Sequence, residues 1–101
     1  MTPPKPPTAA TLQKYGLTAE AWLLLAGDQC FICEQSWDTV DPVVDHKHVA
    51  GWRKLPPEER KKWVRGVISR NCNFKFVPRG MTARRARRVS EYLARFEKRA
   101  G

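Results

Sequence analysis

The sequence predicts a small α+β domain in which two short strands lie among helices. Two runs rich in β-branched residues, 40–45 and 64–68, have the composition of strands and can pair as an antiparallel hairpin with a long connection. From residue 82 to about 99, apolar residues recur at helical spacing. A chain of 101 residues has room for one such domain around one small core.

The first ten residues are predicted to be a disordered tail. Four prolines among the first seven residues oppose both a helix and a central strand. The folded domain is therefore expected to span residues 11–101 and to include the basic C-terminal helix.

Three shorter helices are predicted from their end signals. Thr18 is a good N-cap, and the helix that follows should end near Gly27. Pro57 suits the first turn of a helix that runs to about Trp63. A third helix is expected to open near Cys72, before Pro78 and Gly80 stop it.

The charge is large and uneven, with a net value of +9. Residues 1–52 carry three Lys/Arg against six Asp/Glu, whereas residues 53–101 carry sixteen against four. A basic half of this kind indicates a polyanionic partner, with nucleic acid favoured over an acidic membrane surface. No apolar run is long enough to span a bilayer and no signal peptide is recognised, so an intracellular protein is expected.

The last helix has two adjacent faces. Its apolar side is expected to join the core and consists of Val89, Tyr92, Leu93 and Phe96. The neighbouring stripe is either a solvated face or, as we favour, a row of phosphate contacts, and consists of Arg84, Arg88, Arg95 and Arg99.

Both histidines of the chain lie in the stretch VVDHKHVAG, residues 43–51. It is either a polar strand end or half of an active site, since Asp45 offers an oxygen ligand for a divalent cation and His46 a general base. Neighbouring residues of a regular strand point to opposite faces, so a shared site requires the strand to end or twist near residue 45. Asn73 is a candidate for a second oxygen ligand.

The three cysteines suggest a metal site. The spacing of Cys30 and Cys33 lets two thiolates bind one ion from a tight turn, and Cys72 is the remaining thiol. The alternative is that two small buried thiols merely pack in the turn.

Five motifs together resemble a known nuclease family. In chain order they are Tyr15-Gly16-Leu17-Thr18, Cys30-x2-Cys33, Val44-Asp45-His46-Lys47-His48 with Gly51, Val64-Arg65-Gly66, and Cys72-Asn73. Over roughly residues 15–76 the chain resembles the phage recombination endonuclease VII family of HNH nucleases, within the ββα-metal (His-Me finger) superfamily.

The resemblance implies a fold and a set of roles. The fold would be a ββα-metal finger with a zinc-knuckle-like turn and flanking N- and C-terminal helices. Asp45 and Asn73 would bind Mg²⁺ (or Mn²⁺), His46 would be the general base, and His48 would orient the phosphate or a metal-bound water. A structural Zn²⁺ would be bound at Cys30, Cys33 and Cys72. From its place in the second strand, Arg65 is predicted to contact the scissile phosphate.

Two features depart from the family pattern. Ser69 stands where the family has a fourth thiolate, so zinc is held by three thiolates with a water or another group, held weakly, or not bound. Residues 52–63, here called the connecting segment, are mostly additional to the short family link. They are predicted either to reshape the DNA surface or to form an ordinary surface loop.

The sequence therefore predicts a metal-dependent HNH endonuclease that hydrolyses phosphodiester bonds in DNA. By analogy with the family, its substrate would be branched DNA such as four-way junctions, cut by a homodimer. A phage origin would place it in the cytoplasm of a bacterial host. The alternative is a non-catalytic, zinc-stabilised DNA-binding module.

Overall fold

A computed structural model describes residues 4–100, apart from the side chains of Phe96 and Ala100. It confirms a small α+β domain. The elements in chain order are α1 (Ala9–Lys14), α2 (Ala19–Ala26), β1 (Pro42–His46), α3 (Pro57–Arg60), β2 (Val64–Ser69), α4 (Arg70–Lys75) and α5 (Ala83–Ala100), with 3₁₀ turns at Trp52–Lys54 and Lys61–Trp63.

The predicted helix ends are found close to where their signals lie. The Thr18 hydroxyl accepts a hydrogen bond from the Ala21 N–H at 3.0 Å, which caps α2. At the other end Gly27 adopts a positive φ of 58°, a conformation that favours glycine. Pro57 opens α3 as expected.

Helix α1 was not predicted. Thr8 caps it and it begins at Ala9, so the predicted tail boundary at residue 10 falls inside a helix. The helix has six residues and none is buried, so it carries too little apolar periodicity to be recognised from sequence. Residues 1–3 of the predicted tail lie outside the described part of the chain.

The two strands form the predicted antiparallel hairpin, with one irregularity. Pairing runs from Pro42 opposite Ser69 to Asp45 opposite Gly66, and then His46 lies opposite Val64. One residue of β2, Arg65, is therefore extra, as in a β-bulge. The register slips between Asp45 and His46, close to the point at which a site shared by these two residues would require the strand to end or twist.

Both faces of β2 are buried. Val67 packs in one cluster with Leu17, Trp22 and Ala26. The next residue, Ile68, points to the other face and packs with the thiols of Cys30 and Cys72. The core is thus two small clusters separated by the hairpin.

The prediction that the apolar side of the last helix joins the core is wrong. In α5, Val89 is 47% exposed, Tyr92 73% and Leu93 49%. Helical periodicity identifies an apolar face but does not say what it packs against, and no described residue of α5 belongs to either cluster. The predicted Phe96 side chain lies outside the described part of the structure. Among residues 4–100, no helix has the length and apolar character needed to cross a membrane.

The connecting segment packs against the turn between α1 and α2. One Arg60 Nη donates to the Lys14 carbonyl at 3.0 Å. Gly16 has a φ of +68°, and a Cβ added there would overlap the carbonyl oxygen of Pro57 and lie 2.8 Å from its carbon. Only a glycine fits at this contact.

This contact predicts a difference between two glycines. Gly51 also has a positive φ of +74°, but a Cβ there would meet nothing within 4 Å. Gly51→Ala should therefore cost only the left-handed backbone penalty, about 1 kcal/mol, whereas Gly16→Ala should cost at least ~2 kcal/mol more because the connecting segment must move. Urea unfolding of the two variants checks this, and equal losses would mean that the segment does not pack on Gly16.

Candidate functional site

The two histidines line a basic cavity of about 700 Å³ at the end of β1. Its wall includes five cationic side chains, which come from α1, the connecting segment and the loop before α5: Lys14, Arg53, Lys54, Arg60 and Arg79. A concave surface lined by positive charge raises the local concentration of anions, so this cavity favours the binding of a phosphate group.

His46 is held within a group of aromatic rings. Its imidazole stacks on the Trp52 indole with ring centroids 4.3 Å apart and planes inclined by 22°. The rings of His48 and Tyr15 lie at 4.7 and 5.6 Å from it in tilted contacts. The structure therefore brings the two predicted histidines together and adds two aromatic neighbours.

The surroundings of His46 favour its neutral form. Partial burial lowers the pKa of the imidazole below its ordinary value of 6.5, and His48 lowers it further. Asp45 acts in the opposite direction and raises this pKa, but less strongly. A neutral imidazole can accept a proton, as a general base must.

Asp45 is buried and is paired with Arg65. The Arg65 Nε donates to Oδ2 at 2.8 Å and an Nη to Oδ1 at 2.9 Å, so one guanidinium occupies both carboxylate oxygens. The β-bulge explains the contact, since Arg65 is the extra residue opposite the Asp45–His46 step. The two predicted site residues therefore contact each other.

The predicted oxygen ligands are not assembled around one point. Asp45 and Arg65 line one cavity, His46 and His48 line another, and Asn73 lines a third together with Val43 and Arg70. On α4 the side chain of Cys72 faces the core, and Asn73 is rotated about 100° from it around the helix axis.

The three cysteines converge. The Sγ atoms of Cys30, Cys33 and Cys72 lie within 4.8 Å of one another, and Cys30 and Cys72 are buried. We call this group the thiol cluster. Its members come from the turn after α2 and from α4, so the fold gathers ligands that are distant in sequence.

Hydrogen bonds make one thiol acidic. Burial alone would raise the pKa of Cys30, but N–H groups of Cys33, Ser69 and Ile32 outweigh it and bring the pKa to about 6. Burial and the neighbouring thiols raise the pKa of Cys72. One thiolate in a cluster of three is a suitable starting point for binding a soft or borderline cation.

The family profile of recombination endonuclease VII matches residues 9–95. The chain belongs to the recombination endonuclease VII family. No curated protein and no solved structure matches it.

Membership confirms the resemblance and makes the protein a nuclease whose partner is DNA. In this endonuclease the thiol cluster can bind a metal such as zinc. The Ser69 hydroxyl, which stands beside this cluster, accepts the Cys72 N–H at 3.1 Å and thereby caps α4. It also accepts a hydrogen bond from the Cys33 thiol at 3.8 Å.

Sequence reasoning missed Trp52 as a neighbour of the endonuclease's histidines. Its ring is buried, whereas a polar stretch of lysines, arginines and prolines predicts an exposed segment. The available signal was a large aromatic residue directly after Gly51, six positions beyond His46.

The position of Ser69 predicts the effect of restoring the family's thiol. Ser69→Cys should raise zinc affinity and thermal stability, since a thiolate here would stand beside the Cys33 sulfur. Ser69→Ala is the matched control, because it removes the helix cap without adding a ligand and should cost about 1 kcal/mol. Zinc titration and thermal melting measure both effects.

The outcome can also exclude the site. If Ser69→Cys binds no more zinc than the parent and melts no higher, Cys30, Cys33 and Cys72 do not form a zinc site with position 69.

Proposed function

We propose that this protein is an HNH-type endonuclease of the ββα-metal class that hydrolyses phosphodiester bonds in DNA, with His46 as the general base. The observation that carries the proposal is the basic cavity in which His46 lies beside His48. Membership of the recombination endonuclease VII family supports the same reaction class.

The cavity suits phosphodiester hydrolysis. A phosphate bound among the cationic side chains would place its phosphorus near the imidazole of His46, which accepts a proton from the attacking water. His48 is close enough to orient that phosphate or the water. The expected product is a nick with a 5′ phosphate.

The proposed Mg²⁺ (or Mn²⁺) ligands do not form a ready-made site. Arg65 occupies both oxygens of Asp45, and Asn73 lines a different cavity. A bound ion would neutralise charge on the phosphate and on the leaving oxygen. For Asp45 to bind an ion and Arg65 to contact a phosphate, the ion pair between them must first open. Opening it would free the carboxylate for the metal ion and the guanidinium for the phosphate.

The arginines of α5 are proposed to bind the DNA backbone. Arg84, Arg88, Arg95 and Arg99 are all exposed. Arg88 pairs with Glu91 at 3.1 Å, but an exposed pair of this kind is weak and yields to a phosphate.

The substrate is proposed to be branched DNA, including four-way junctions. The family description names recombination, and recombination intermediates are branched. Resolving a junction requires two cuts, so a homodimer belongs to this proposal. A phage origin and action in the cytoplasm of a bacterial host rest on the resemblance alone.

A second candidate is a non-catalytic, zinc-stabilised DNA-binding module. The specific observation in its favour is the closed Asp45–Arg65 pair, together with the separate position of Asn73. The two candidates differ in whether purified protein cuts DNA.

Removal of the general base separates catalysis from binding. His46→Ala should reduce cleavage on the order of a hundredfold or more, because it removes proton transfer in the transition state, while DNA affinity stays nearly unchanged. Asp45→Ala should abolish cleavage and weaken binding of the divalent ion. Cleavage by the parent should require Mg²⁺ or Mn²⁺ and stop with EDTA, assayed on linear, nicked and four-way DNA.

Lys47→Ala is the positional control. Its side chain is exposed, with Nζ 5.8 Å from the Trp63 ring, so this variant should keep most of the activity. A parent that cuts none of the three DNA forms, or a His46→Ala variant that cuts as well as the parent, refutes the nuclease mechanism and leaves the binding module.

The arginine stripe of α5 predicts a change in salt dependence. Changing Arg84, Arg88 and Arg95 to Ala should weaken DNA binding and reduce the slope of log K against log[salt] by about 0.9 for each phosphate that is no longer neutralised. A control with Lys5, Lys61 and Lys75 changed to Ala removes the same charge from elsewhere and should alter the slope less. Equal slopes in the two triple variants would make the stripe an ordinary solvated face.

A further inference from the structure

We propose that Trp52 and Arg60 of the connecting segment are positioning residues for His46: the indole of Trp52 fixes the imidazole plane, and Arg60 fixes the indole. The inference rests on the proposed nuclease function. It gives a role to the segment that departs from the family pattern.

The contact between Trp52 and His46 is the most parallel of the aromatic contacts around the histidine. Their planes are inclined by 22° at 4.3 Å, compared with 42° for His48 and 52° for Tyr15. Tyr15 also contacts Trp52, with ring centroids 5.6 Å apart. The imidazole is thus packed against two rings that also contact each other, which restricts its rotamer.

Arg60 holds Trp52 in place. Its guanidinium lies 5.0 Å from the centre of the Trp52 ring. One Nη donates to the Lys14 carbonyl at 3.0 Å and the other to the Arg53 carbonyl at 2.8 Å. This planar fork joins the end of α1 to the 3₁₀ turn that carries Trp52, and a lysine cannot make both bonds in one geometry.

The position of His46 explains why such support matters. It is the last residue of β1 and lies just beyond the register slip, so its pair with Val64 is the last pair of the hairpin. A general base must stay within hydrogen-bond reach of its proton, and a displacement of about 1 Å can cost on the order of a hundredfold in rate.

The test compares two tryptophans of the same segment. Trp52→Leu should lower kcat about tenfold or more on the DNA form that the parent cuts, with KM nearly unchanged, and Trp52→Phe should restore most of kcat because it keeps an aromatic face. Trp63→Leu is the matched control, since the Trp63 ring lies near Lys47, and it should keep kcat within about twofold.

Because Trp52 is buried, Trp52→Leu could lose activity by failing to fold, and a second variant tests the same role without changing the buried ring. Arg60→Lys keeps the charge of the cavity but loses the fork. It should lower kcat several-fold without changing the salt dependence of DNA binding.

NMR supplies a readout that does not depend on cleavage. The indole ring current should shift the carbon-bound ring protons of His46 upfield in the parent. Trp52→Leu should remove this shift and Trp63→Leu should retain it. A merely structural role for Trp52 would instead lower the melting temperature and leave kcat of the folded variant unchanged.

The outcomes separate the positioning role from the nuclease function. If the parent cuts DNA but folded Trp52→Leu and Arg60→Lys keep its kcat, the positioning role is wrong and the nuclease function stands. If the parent cuts no DNA, the proposed function fails and the positioning role fails with it. An active parent whose His46 signals do not respond to Trp52→Leu also overturns the inference.

Discussion

The register slip between Asp45 and His46 is the constraint on which the candidate site depends. It makes Arg65 an extra residue in β2, and the side chain of that residue binds both oxygens of Asp45. Beyond the slip, His46 pairs with Val64, and its ring packs on Trp52 in the basic cavity. A hairpin with uninterrupted pairing would have no bulged residue at Arg65 to meet Asp45.

The thiol cluster packs the hairpin against the turn after α2 and against α4, in a chain whose apolar core is small. Cys30 precedes the hairpin and Cys72 follows it, and Ile68 of β2 packs against both. A metal bound there would add folding free energy that two small apolar clusters supply only sparingly. Ser69 stabilises this part of the fold without a metal, since its hydroxyl caps α4. This chain therefore has a helix cap where the family has a metal ligand.

Positive charge has two effects around the histidines. Lys14 lies in the cavity wall, where it attracts phosphate, and it also lowers the pKa of His46, although less than burial and His48 do. The same electrostatic field thus recruits a polyanion and keeps the imidazole neutral. The connecting segment contributes much of this wall, so it borders the side chain that is proposed to be the general base.

The sequence by itself determined the strands, most helix ends and the basic half of the chain, because these depend on local patterns such as Thr18 before a helix, and it named the candidate residues from their motifs. It also predicted a break near residue 45 on the condition that Asp45 and His46 share one site, since neighbouring strand residues point to opposite faces. Only the tertiary structure decided which of these residues meet. Asp45 meets Arg65, Asn73 lies in another cavity, Trp52 covers His46, and Val89 of α5 is exposed. These contacts depend on how the chain turns in space, so periodicity and spacing carry no information about the partner that an exposed or bulged residue finds.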